Sequence, residues 1–250
     1  MIKELFKGLS YYPKAQKVIS ENKLWKYIII PGFMSLFYIM GFVIIAYIFA
    51  DDVSEYLYPS WLSWEWIQGF VKAFLTVFTW LMFLIFGLLT YKFVILIVFA
   101  PIWGYISEVV EFTINGKEAP DFNFKDIMSD ILRSLSLTLR NTLWMIMFYI
   151  VSILIGLIPL IGPIASFAII LAVQSYYEGV ALSDYTLERK RYSVDETISF
   201  TKGNKYGIMG IGCGFTLILL IPVFGWFSAP GYGTVAATLA TLEKIDTPQI

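Results

Sequence analysis

The chain has 250 residues, of which 58% are hydrophobic, 18% aromatic and only 15% charged, and its mean hydropathy is +0.72. Soluble domains carry roughly 25% charged residues. This chain has more apolar surface than one water-soluble core can hide, so it reads as an integral membrane protein. The net charge of −1 points to no partner, and no nucleic-acid partner is expected. With no histidine, a Ser–His pair, an HExxH zinc site and a histidine haem ligand are excluded, and no GxxxxGK[ST] phosphate loop is present. The single cysteine, Cys213, rules out an internal disulfide and lies in an apolar run that favours an inert buried thiol. No catalytic residue, metal or cofactor is therefore expected.

The N-terminus does not read as a secretory signal, because six lysines precede the first apolar run and no small-residue cleavage site follows it. Ile2, Leu5, Phe6 and Leu9 fall at i, i+3, i+4 and i+7, which predicts a short amphipathic helix ending near Pro13. With lysines at its other positions it suits either the membrane surface or packing against the rest of the chain.

A spanning helix needs about 20 apolar residues. Tyr27 to Ala50 and Phe70 to Ala100 meet that length, the second with Lys72 near its start and Lys92 near its end. Between them DDVSEYLYPSWLSWEW holds four acids, no basic residue and several interfacial aromatics, as expected of an outer loop.

Leu143 to Val173 is interrupted at Pro159 and Pro163, and Ile208 to Ala240 at Pro222 and Pro230. Halves of roughly 10–16 residues cover about 15–24 Å, too little for a core about 30 Å thick. The prolines thus read as hinges of two half-membrane hairpins, with non-helical backbone tolerated only inside protein or beside a cavity. Charge agrees. Lysines before Tyr27, then Lys117, Lys125, Arg133 and Arg140, then Arg189, Lys190, Arg191, Lys202 and Lys205, all stay cytoplasmic if each hairpin leaves by the face it entered. Asn123 is placed to cap a helix with a stripe at Phe124, Ile127, Ile131, Leu135 and Leu139, and Ser193-Val-Asp-Glu196 forms a capping box. The architecture expected is a single all-α membrane domain over 1–250: a basic amphipathic N-terminus (1–26), spans at 27–50 and 70–100, and hairpins at 143–173 and 208–240.

Four stretches resemble the CysZ-type sulfate permeases and the wider etoposide-induced membrane protein family: KLWKYIIIP (23–31), APIWGYISEVVE (100–111), SDYTLERKRYSVDE (183–196), and KGNKYGIMGIGCG with IPVFGWFSAP and VAATL near the end. The resemblance implies two long spanning helices, two half-membrane hairpins, a homo-oligomer, and sulfate uptake across the inner membrane for cysteine biosynthesis. It also implies an anion site in the turn before the first span, typically Gly-Leu-Arg followed by another basic residue. Aligned on Pro31, Lys23 stands at the glycine, Leu24 at the leucine, Trp25 at the first arginine and Lys26 at the second basic position; Ser35 stands where asparagine is frequent. Arginine grips a tetrahedral oxyanion through two donors, whereas lysine is a hydrated point charge, so Trp25 departs from the pattern where it matters.

The expected function is a permease admitting sulfate or a related oxyanion to the cytoplasm by a facilitated or ion-coupled route. The alternative is a membrane-shaping scaffold whose hairpins wedge one leaflet. Asn22, Lys23, Leu24, Trp25 and Lys26 are the candidate substrate site; Lys23 and Lys26 equally suit positive-inside anchoring. Lys92, Glu108, Glu111, Arg133, Arg140, Asp184 and Arg189 are candidates for pore-lining charges or for structural ion pairs. Gly203, Gly207, Gly210, Gly212 and Gly214 offer either helix-start amides for an anion or close helix packing.

Overall fold

The computed structural model describes residues 1–59, 65–117, 124–221 and 224–246, and within its helices no side chain at 30–31, 34–35, 65–66, 88–89, 91–101, 124–132 or 226. Asn123 and Pro222 fall outside the described residues, as do the side chains of Ser35, Lys92, Phe124, Lys125, Ile127 and Ile131. All regular structure among the described residues is α-helical: α1 (Ile2–Glu21), α2 (Trp25–Leu57), α3 (Glu65–Ile114), α4 (Phe124–Gly156), α5 (Gly162–Arg189), α6 (Val194–Gly203), α7 (Lys205–Leu219) and α8 (Phe224–Asp246). Among the described residues, four stretches are long and apolar enough to cross a membrane: Leu36–Leu57, Ile67–Gly87, Arg133–Gly156 and Gly162–Arg189. The chain is a multi-pass, all-α membrane protein. It divides into two compact units, Gly32–Phe99 and Met1–Pro31 with Ala100–Ile250.

In the unit Gly32–Phe99, α2 and α3 run antiparallel. Tyr38 and Thr90 share a hydrogen bond of 2.6 Å near one end, and Thr76 donates to Ser54 at 3.3 Å nearer the other. Ala46, Ala50 and Ser54, four apart on α2, are buried and form a small-residue seam. Large apolar side chains such as Phe37, Tyr47, Phe74 and Phe78 are exposed, as lipid-facing surfaces require.

In the other unit, α7 is the centre. Its glycines let two neighbours approach backbone to backbone. A Cβ on Gly210 would stand 2.1 Å from the Leu5 carbonyl oxygen on α1, and one on Gly212 would stand 1.8 Å from the Ser175 carbonyl oxygen on α5. Gly8 and Gly179 make the reciprocal approaches to Gly207 and Ile208. Tyr12 lies over Gly214 and donates to the Ile211 carbonyl at 2.6 Å. The glycine run therefore serves packing, and Gly203 alone of the five meets nothing.

Helix α1 corrects the expectation of a short helix: it continues through Pro13 to Glu21. Its buried face is Gly8, Tyr11, Tyr12, Ala15 and Ile19, whereas Ile2 and Phe6 are exposed. It runs antiparallel to α8, pairing Glu4 with Lys244, Lys7 with Glu243, and Gln16 with Tyr232.

Helices α4 and α5 form an antiparallel hairpin, with Arg133 bonded to Asp184 at one end and Gly156 against Ser166 at the other. They are 33 and 28 residues long, so the expected short halves are corrected: each continues well beyond its apolar part. Pro159 lies in the turn and Pro163 in the first turn of α5, where a missing N–H costs nothing. The turn also closes its own backbone. Leu157, Ile158, Ile161 and Gly162 donate to Leu154, Ile155, Pro159 and Ile158. Leu160 takes a left-handed φ of 69° and is 91% exposed, and Leu157, Ile161, Ile164 and Phe167 are exposed around it. Pro230 does not break the second hairpin; it lies inside α8. Both hairpin turns lie at one end of this unit, and Arg133, Asp184, Arg189 and Lys244 lie at the other.

Candidate functional site

The turn between α1 and α2 is built by Asn22, Lys23 and Leu24. Asn22 donates its side-chain amide to the Val18 carbonyl at 2.9 Å and ends α1. Lys23 then adopts a left-handed φ of 54°, and Leu24 folds inward, only 7% exposed. A left-handed conformation costs a non-glycine residue roughly 1 kcal/mol, and it falls on the position where the resembling family carries glycine. Asn22, Lys23 and Lys26 are exposed; Lys26 lies over the Tyr27 ring at 4.8 Å. Trp25 is half-buried and meets the Tyr232 ring edge-on, centroids 6.0 Å apart. The five turn candidates thus form one local structure, with two ammonium groups outward and Leu24 and Trp25 holding it to the bundle.

The other candidates divide. Arg133 on α4 grips Asp184 on α5 through two nitrogens, at 2.9 and 3.2 Å, and also donates to Thr197 at 2.7 Å and to the Tyr192 carbonyl at 2.6 Å. Both side chains are largely buried, 17% and 9% exposed. The pair ties α4, α5 and the start of α6 together, and Ser134 adds a 2.8 Å bond to Glu188. Arg189 joins α5 to α3, donating to Glu111 at 2.8 Å and to the Ser107 carbonyl at 3.2 Å; Lys190 reaches the other Glu111 oxygen at 2.6 Å. Ser107 pairs with Thr186 at 2.9 Å, and Thr186 donates to Thr238 on α8 at 3.2 Å. Arg140 is half-buried near Tyr177. Glu108 makes no ion pair among the described residues, and the Lys92 side chain is not among them.

Sequence reasoning thus found the charges of both clusters and missed their hydroxyl partners. The signal available was Ser107, Thr186 and Thr238 set within otherwise apolar helices. A separate shallow recess opens between α1, α6, α7 and α8, and its charged rim is paired internally, Lys7 with Glu243 and Lys244 with Glu4.

Burial alone would raise the Glu111 carboxyl, but hydrogen bonds from Lys190 and Arg189 outweigh it and hold it below the usual 4.5. A depressed folded value stabilises fully above pH 4.5, and that contribution is lost as pH falls through the folded value. Glu111→Gln is expected to lower the melting temperature at pH 7 and to flatten its decline on acidification. A variant with the wild-type acid slope would assign that response to other carboxylates.

The family described as sulfate transporter CysZ/etoposide-induced protein 2.4 matches residues 11–230. The chain belongs to that family. Among CysZ relatives, "Sulfate transporter CysZ" of Pseudomonas aeruginosa (strain LESB58) is 24% identical over 240 residues, covering 93% of each chain. The protein of that name from Pseudomonas syringae pv. tomato is 25% identical over 241 residues, 93% of this chain and 90% of its own. That of Vibrio atlanticus is 22% identical over 233 residues, 89% and 87%. The CysZ family is one of transporters rather than enzymes. Its match takes in the candidate turn and both ion pairs, and ends at Pro230, seven residues into α8.

Proposed function

We propose that the protein is an inner-membrane permease admitting sulfate or a related oxyanion to the cytoplasm, by a facilitated or ion-coupled route, as a homo-oligomer. The relatives named sulfate transporters support the substrate class. The observation that carries the reading is the turn itself: Lys23 and Lys26 are exposed directly before the first apolar stretch, one of them in a strained conformation. An anion entering a pore must exchange water for protein donors without being held too long. Two exposed ammonium groups suit a capture step of that kind.

The depth of the turn supports half-insertion of the hairpins. From Phe224 at the turn of the second hairpin to Tyr232, beside Trp25, is about 12 Å of helix; from Tyr232 to Lys244 is about 18 Å. Hairpins ending near the middle of a core about 30 Å thick put Asn22 to Lys26 at the boundary of hydrocarbon and water. Full crossing would sink exposed Lys23 well inside the hydrocarbon, where a charge is costly. The turn of the first hairpin, apolar and self-bonded, is suited to oil. Either way α4 and α5 return the chain to its starting face, so the basic loops share one side. In this reading Arg133–Asp184 and Arg189–Glu111 fix the bundle from which the turn projects. A subunit with two full spans encloses no pore by itself, which calls for several copies.

Uptake of labelled sulfate into liposomes, with and without an imposed ion gradient, tests the reading. Lys23→Ala with Lys26→Ala is expected to cut uptake and equilibrium binding more than tenfold, since it removes both exposed ammonium groups of the turn. Vesicles that deform without taking up oxyanion would instead mark a membrane-shaping scaffold.

A further inference from the structure

Tyr232 touches both arms of the candidate turn. Its hydroxyl donates to the Gln16 side-chain oxygen on α1, and its ring meets Trp25 at the start of α2. Gln16 is held in turn, its amide donating to Ser20 at 3.2 Å one helical turn before the chain bends. The neighbouring residue makes this closeness possible: a Cβ on Gly231 would stand 2.8 Å from Ile28, so only glycine lets α8 come this near to α2. Pro230, one residue earlier, has no N–H to complete the helical ladder, and Thr234 donates to the Pro230 carbonyl at 2.8 Å.

We infer that Tyr232 is a positioning residue for the anion turn: it clamps Gln16 and Trp25 together and so sets the spacing of Lys23 and Lys26. This rests on the reading of that turn as the oxyanion site. Two point charges on flexible stems have no fixed geometry of their own; the backbone between them must supply it. Asn22 closes the first arm, and Leu24 is buried, so the remaining freedom is the separation of the two helix ends. Tyr232 removes it. Tyr232 stands directly after the Pro230–Gly231 step of α8. In that respect Tyr232 links the site to the part of α8 that leads into the membrane.

The test is sulfate binding by the purified full chain in detergent, with Km and Vmax of liposome uptake read alongside. Tyr232→Phe keeps the ring and loses the donor; it is expected to weaken binding about threefold to tenfold, the worth of one hydrogen bond. Km should rise by the same factor with Vmax nearly unchanged, and the melting temperature should fall by no more than the loss of one hydrogen bond accounts for. Gln16→Met should give the same loss, and the double variant no more than either single one, because the two share one bond. Tyr232→Phe and Gln16→Met that bind sulfate like the wild type, or losses that add, would overturn the inference while leaving the permease reading intact. A wild-type protein that binds no oxyanion would overturn the permease reading, and the role of Tyr232 with it.

Discussion

Gly212→Ala is expected to yield almost no folded protein. The added methyl would stand 1.8 Å from the Ser175 carbonyl oxygen and 2.7 Å from the Gly179 nitrogen. Both are backbone atoms of α5, so no side chain can rotate away. Relief needs α5 and α7 to separate, and Gly210 on the opposite face already holds α7 against α1. Overpacking usually costs 1–3 kcal/mol; forcing backbone from backbone at the centre of three helices should exceed about 3 kcal/mol, a large part of ordinary net stability. Gly179→Ala, 2.0 Å from the Ile208 carbonyl oxygen, should fail likewise. Gly203→Ala, with nothing within 4 Å, is the matched control and should be neutral. Monodisperse yield and thermal unfolding in detergent read the outcome. A well-folded Gly212→Ala variant would mean that α5 and α7 do not meet at these glycines.

Arg133→Met is expected to destabilise by about 3–5 kcal/mol, because it strands the buried Asp184 carboxylate without its bidentate partner. Asp184→Leu should cost as much by stranding the guanidinium. The pair replaced together should cost clearly less than either change, since an apolar pair carries no desolvation penalty. Thr197 and the Tyr192 carbonyl also lose their donor, so some deficit remains in the double variant. Binding at the turn should persist in whatever fraction folds. If single and double variants lost stability additively, the two side chains would not be acting on one another. If binding vanished while stability held, the pair would belong to the anion route and not to the scaffold.

The membrane class and the apolar stretches were legible because they rest on composition and on the run length that a bilayer imposes. The capping box was legible because Ser193 and Glu196 satisfy it locally, with the Ser193 amide 2.8 Å from the Glu196 carboxylate. The errors came where tertiary contact overrides a local rule. Pro13 reads as a helix end, yet α1 passes it because Gly8, Tyr11, Tyr12 and Ala15 are held on both sides of it by α7 and α8. Pro230 survives within α8 for a similar reason. Helices α4 and α5 exceed their apolar cores because Arg133, Asp184 and Arg189 satisfy one another or nearby polar groups beyond the greasy part. At the turn, Asn22 to Lys26 could be picked out by charge and by resemblance. The left-handed Lys23 could not, since nothing local demands it, and Tyr232 lies 207 residues beyond Trp25 in the chain.

The bend at Leu157–Ile161 has a bearing on biogenesis. Pro159 carries no amide hydrogen, and the amides of Leu157, Ile158, Ile161 and Gly162 are already engaged by carbonyls of the bend or of the helix before it. On the half-inserted reading, a newly made hairpin would enter the lipid with no hydrophilic segment to be pushed to the far side. Leu160→Lys, which sets a charge on the exposed tip of that bend, is expected to hinder its entry into the lipid.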